Sequence, residues 1–182
     1  MPTISGLGHV GLYCRDLPSQ ERFYTEVLGL TKTDENREQG LIFLSAQPDQ
    51  EHHELLLVAG RNVGDDAHVI QQISFRCPSL ADVTSYYQRF RAQSVPIDMV
   101  VSHGNAIGVY FFDPEGNRGE VYCPTGLLAH QPFLQAVNLD DDLEAILQDV
   151  ASSVERYGET GVLDESLLRG HAVGSQTVQK QT

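Results

Sequence analysis

The chain has 182 residues, 41% hydrophobic and 20% charged, enough to bury a sizeable core in one domain or in two small modules packed as one. Its formal charge of -13 disfavours nucleic acid and anionic lipid, whose phosphates are bound chiefly through Lys and Arg. No run reaches the roughly 18 to 20 apolar residues of a membrane span, and the opening MPTISGLGHV has no basic-then-apolar leader, so the sequence predicts a cytoplasmic protein with no membrane partner.

Taken in chain order, period-two alternation predicts a strand over 9–14 (HVGLYC), a turn at RDLP, and a helix with Phe23, Val27 and Leu30 on one stripe and Pro18 in its first turn. Strands follow around 31–35, in GLIFLSA and in ELLLVAG. The order then returns at a constant offset of 63: His9 falls on Gln72, Val10 on Ile73, Leu12 on Phe75, Cys14 on Cys77, Leu17 on Leu80 and Tyr24 on Tyr87. A second helix carries Leu80, Val83, Tyr87 and Phe90 on one side behind Ser79 as its N-cap, and IDMVVSHG, AIGVYFFD and GEVYCP read as strands.

Each copy is therefore strand, helix, three strands. The expected fold class is α+β, with paired βαβββ modules at about 6–62 and 68–126 forming a curved mixed sheet around a cavity, in one domain over 1–126. Residues 127–170 form a C-terminal helical extension, in which Leu143, Ile146, Leu147 and Val150 are spaced as one apolar stripe. The polar stretch 171–182 shows no periodicity and is expected to be disordered. Cys14, Cys77 and Cys123 form no CxxC pair and sit in apolar segments, which predicts buried reduced thiols.

The stretches GHVGLYCRDLPSQERFYTEVLGL and YFFDPEGNRGEVYCPTG, together with the doubled module, resemble the vicinal oxygen chelate superfamily over roughly residues 6–126. That superfamily includes glyoxalase I, extradiol ring-cleaving dioxygenases and bleomycin-resistance proteins. The resemblance implies a metal held on the first and last strands of the modules by His9, Gln72 and Glu120. Fe(II) is the first expectation for two histidines and a carboxylate, with Mn(II), Ni(II) or Zn(II) as alternatives and metal-free members also known. Gln72 departs from the pattern, because its amide is a weaker, neutral ligand. Gln71 faces the other side of the strand, and His68 lies about 13 Å away along an ideal strand.

Two family patterns compete for the remaining positions. The dioxygenase pattern makes His53 of HHELLLVAG the acid-base residue and places His103 and Tyr110 of SHGNAIGVYFFD near the ring hydroxyls. The glyoxalase I pattern uses four ligands, His9, Glu54, Gln72 and Glu120. His53 and Glu54 cannot both point inward on a regular strand, although a bulge would relax this. The adjacent histidines with His103 and Tyr110 favour His53, and with it metal-dependent cleavage of a catechol-type ring by O2. The alternatives are a glyoxalase I-like isomerase or other metal lyase, and a metal-free small-molecule-binding protein in which Glu120 pairs with Arg15 or Arg118. The partner under each is a small aromatic or other small molecule, and the resemblance also suggests a homodimer.

Overall fold

The computed structural model describes residues 6–64 and 70–168. His68 and the stretch 171–182 lie outside the described residues. The order is β1 (Val10–Cys14), α1 (Leu17–Arg22) running into a π-helical turn (Phe23–Val27), β2 (Thr31–Asn36), β3 (Leu41–Ser45), β4 (Leu55–Ala59), β5 (Ile73–Arg76), α2 (Leu80–Ala92), β6 (Ile97–Ser102), β7 (Ala106–Phe112), β8 (Arg118–Pro124), β9 (Phe133–Ala136), α3 (Leu143–Tyr157) and β10 (Val162–Leu163).

Local chemistry sets the helix boundaries. The Asp16 carboxylate accepts from Ser19 N at 3.0 Å and caps α1, with proline in its first turn. The π-helical turn is closed by Leu28 N donating to the Phe23 carbonyl at 3.2 Å. It buries Phe23 and Tyr24 together, and the Tyr24 hydroxyl donates to Asp113 Oδ2 at 3.1 Å. Ser79 Oγ accepts from Asp82 N at 3.3 Å at the start of α2, the expected cap. In α3 only half of the expected stripe is buried: Ile146 and Val150 are inside, whereas Leu143 and Leu147 are 38% and 45% exposed.

The strands form two sheets, one in the order β1-β4-β3-β2 and one in the order β10-β9-β6-β7-β8-β5. Within the second, β5-β8-β7-β6 repeats the order of the first. β1 runs parallel to β4, while β3 is antiparallel to both β2 and β4, so the first sheet is mixed. The expectation of a curved sheet around a cavity is corrected, since neither sheet is strongly curled. Rolling a sheet around a cavity needs strands with enough length and stagger to close. These strands have two to seven residues and are divided between two sheets, and β9 and β10 extend the second one beyond β6.

The chain divides into two compact units. One comprises Met1–Phe75, Ser85–Asp98 and Tyr110–Glu120, with Leu12, Cys14, Phe23, Ile42, Leu44, Leu55, Leu57, Phe90 and Phe111 in its core. Tilted aromatic contacts run from Phe23 to Phe111, at 5.9 Å between centroids, and on to Phe90 at 4.7 Å. The other comprises Arg76–Thr84, Met99–Val109 and Val121–Thr182, and buries Val83, Met99, Val101, Ile107, Phe133, Leu139, Ile146 and Val150. All three cysteines are free and buried. No helix among the described residues is long and apolar enough to cross a membrane.

Candidate functional site

Strand parity divides the first sheet into two faces. Leu12, Cys14, Ile42, Leu44, Leu55 and Leu57 are buried on one face, and α1 packs against β4. The other face is open: register pairs Gly11 with Leu56 and Leu56 with Phe43, then Tyr13 with Val58 and Val58 with Leu41. Phe43, Leu56, Val58 and Leu41 are half-buried there, and Tyr13 is 64% exposed. His9 lies at one end of this face, one residue before β1 begins.

The same register places Glu54 on the face of His9, because Val10 pairs with Leu55 and Val10 N donates to the Glu54 carbonyl at 3.0 Å. The Glu54 carboxylate turns to the β3–β4 connection, accepting from Ala46 N at 2.7 Å and from Ser45 Oγ at 3.4 Å. His53 precedes the first residue of β4, where regular alternation no longer binds, and its ring lies 4.3 Å from that of His9. His52 and His53 share a hydrogen bond between their Nδ1 atoms at 3.0 Å, and Phe43 sets its ring edge-on to both. Burial foremost, then the neighbouring His9 and His52, pushes the His53 pKa below the usual imidazole value.

A second cluster forms on β5, β6, β7 and β8, again within the first unit. Glu120 is buried, and its Oε2 accepts from Ser74 Oγ at 2.5 Å and from Gln72 Nε2 at 3.1 Å. Gln72 Nε2 also donates to Ser74 Oγ at 2.8 Å, while Gln72 Oε1 accepts from an Arg118 terminal nitrogen at 3.2 Å. Arg118 Nε donates to Asp98 Oδ2 at 2.7 Å, and the guanidinium lies over the Tyr110 ring, 4.0 Å from its centroid. The Tyr110 hydroxyl is hydrogen-bonded to Glu120 and Gln72. Burial first, then the Glu120 charge, raises the Tyr110 pKa well above the ordinary phenol value.

This geometry tests the donor set against the metal implied by the resemblance. The amide oxygen is the only atom of Gln72 able to ligate a metal, and it faces a guanidinium. The amide orientation is fixed by charge, since a flip would set its NH2 group against the Arg118 donors. Glu120 is already occupied by hydroxyl and amide donors. Among the described residues no three His, Cys, Asp or Glu side chains converge as a metal-holding group. His9, Gln72 and Glu120 as arranged do not fit a divalent metal.

The structure thus brings together His9 with His53, and Gln72 with Glu120 and Tyr110. His103 belongs to the other unit, at the β6–β7 turn, where its Nδ1 lies 3.1 Å from the Phe133 carbonyl. Sequence reasoning missed Ser74 and Asp98 and gave Arg118 only as an alternative partner for Glu120. Period-two parity was the available signal: Ser74 follows Gln72 by two residues and Arg118 precedes Glu120 by two.

The model of the Glyoxalase/Bleomycin resistance protein/Dioxygenase superfamily matches residues 6–121. Biphenyl-2,3-diol 1,2-dioxygenase 3 of Rhodococcus globerulus is 28% identical over 120 residues, 63% of this chain and 61% of that protein. A manganese-dependent 2,3-dihydroxybiphenyl 1,2-dioxygenase of Geobacillus genomosp. 3 is 27% identical over 122 residues, 65% of this chain and 36% of that protein. The chain thus spans less than two thirds of the length of either curated relative. Among solved structures, lactoylglutathione lyase from Agrobacterium tumefaciens superposes with a TM-score of 0.54 at 25% identity, covering 67% of this chain and 96% of that one. The fosfomycin resistance protein FosX from Listeria monocytogenes shares the fold at a TM-score of 0.54 and 20% identity, covering 65% and 91%. With its doubled strand order and a family match over more than half its length, this chain belongs to the glyoxalase/bleomycin resistance protein/dioxygenase superfamily.

Proposed function

We propose that this protein binds a small aromatic molecule bearing vicinal oxygens, without a metal. The observation that carries the reading is the engagement of Gln72 Oε1 by Arg118 together with the occupation of Glu120 by Ser74 and Gln72. The hydroxyls of a diol could exchange hydrogen bonds with the hydroxyl, carboxylate and amide groups of this network, whereas a metal would have to displace Arg118 from it. The open apolar face of Leu41, Phe43, Leu56 and Val58, ending at His9 and His53, suits the ring. Both curated relatives are named for a biphenyl diol, which supports the choice of ligand class.

Metal-dependent ring cleavage is the second reading. It is favoured by the contact between His9 and His53 and by the dioxygenase names of the relatives. The isomerase reading has less support, because Glu54 is bonded to Ala46 and Ser45. The test is titration calorimetry with 2,3-dihydroxybiphenyl, with and without EDTA, beside anaerobic Fe(II) and Mn(II) loading. Diol binding that ignores EDTA, with less than one metal per five chains, is the expected result. One tightly held metal per chain, with a yellow ring-opened product on admission of O2, would replace this reading by the second.

A further inference from the structure

We infer that Arg118 is the residue that excludes a divalent metal from this site, its guanidinium holding the cationic position beside Gln72; the inference rests on the metal-free reading above. Glutamine alone is not the barrier, since an amide oxygen can ligate a metal. The obstacle is the charge already in contact with that oxygen at 3.2 Å. Nor is Arg118 free to swing aside. Asp98 holds its Nε at 2.7 Å, the Tyr110 ring lies beneath the guanidinium, and the side chain is only 14% exposed. A metal ligated by residue 72 would meet this fixed positive charge in a poorly solvated place, where charges repel far more strongly than in water.

The consequence concerns the substitution that restores a histidine. In Gln72→His, a neutral imidazole beside Arg118 would accept the guanidinium hydrogen bond with the lone pair that a metal requires. The charge would also remain. Gln72→His alone is therefore insufficient, and metal binding requires the change at 118 whether glutamine or histidine stands at 72. Gln at position 118 removes the charge and retains an N–H for Asp98, which otherwise would lose its 2.7 Å partner.

Mn(II) titration, with free ion followed by electron paramagnetic resonance, separates the possibilities in wild type, Gln72→His and the double variant Gln72→His/Arg118→Gln. The expected result is one Mn(II) per chain in the double variant, held at least tenfold more tightly than in Gln72→His, with none held by wild type. Equal binding by Gln72→His and the double variant would overturn the inference and leave the metal-free reading standing. A double variant that binds no better than Gln72→His would overturn it too. Binding by wild type would overturn both. Should the double variant fail to fold, Arg118→Gln alone carries the test. Mn(II) should broaden the Gln72 side-chain amide resonance there and not in wild type, and the absence of that difference refutes the role of Arg118.

Discussion

Tyr110 and Tyr24 show how single residues acquire chemistry that their identity does not carry. Each phenol is buried and bonded to a carboxylate, Glu120 for Tyr110 and Asp113 for Tyr24, and both effects disfavour the phenolate. Their folded pKa values lie above the unfolded one, so the unfolded chain releases these protons first. Their contribution to stability is complete below the ordinary phenol pKa near 10 and is lost as pH rises through the folded values. Spectrophotometric titration should find that Tyr24 and Tyr110 ionise only with alkaline unfolding, and Tyr110→Phe should lower the number of such late-ionising tyrosines by one. Ser74 makes a simpler case. Its hydroxyl donates to buried Glu120 at 2.5 Å, so Ser74→Ala should lower stability in urea unfolding by about 1–3 kcal/mol. An unchanged midpoint would show that Glu120 finds a substitute donor.

Elements are held in place by a few polar ties that no periodicity reveals. Glu115, in the turn between β7 and β8, accepts from the backbone N–H of Arg15 and Asp16 at 2.6 and 2.7 Å, just ahead of α1. The Arg61 guanidinium, past the end of β4, meets the same carboxylate at 3.4 Å, and both side chains are only 8% exposed. Glu115→Ala strips these groups of a shared acceptor and should cost about 3–5 kcal/mol, measured as a lower urea midpoint with the m-value retained. β8 is equally intolerant at Gly119. A Cβ there would come within 2.3–2.9 Å of the Phe111 ring, which is itself packed against Phe23 and Phe90. Gly119→Ala should therefore destabilise by about 1–3 kcal/mol in thermal unfolding. Periodicity in α1 did bury Phe23, but the extra residue in the π-helical turn buried Tyr24 beside it, which a 3.6-residue period does not anticipate.

For the whole molecule, the absence of a fitting donor set among the described residues has a thermodynamic signature. A ligand that binds only the folded state raises the melting temperature by mass action. Fe(II) or Mn(II) in large excess under argon should leave the wild-type midpoint within about 1 °C, while a shift of several degrees would reveal a site the polar network does not provide. Much of the architecture was legible beforehand, because the 63-residue offset aligned two runs of the same periods, and both sheets carry the corresponding strand order. The curvature was not legible. Alternation reports which residues share a face, whereas the bending of a sheet depends on strand length, stagger and what packs beside it.

The amino-acid sequence by itself determined the superfamily, the repeated strand–helix–strands order and the placement of His9 and Gln72 directly before the first strand of each module and of Glu120 on a last strand, because local periodicity and turn residues are written in neighbouring positions. Tertiary structure alone decided what those residues can do. Whether Gln72 is a ligand or a hydrogen-bonded spacer depends on Arg118, 46 residues away in the chain and 3.2 Å away in space. Arg118 in turn is fixed by Asp98 and Tyr110 from two further strands. Electrostatic contacts of this kind act through distance, and only the fold sets the distance.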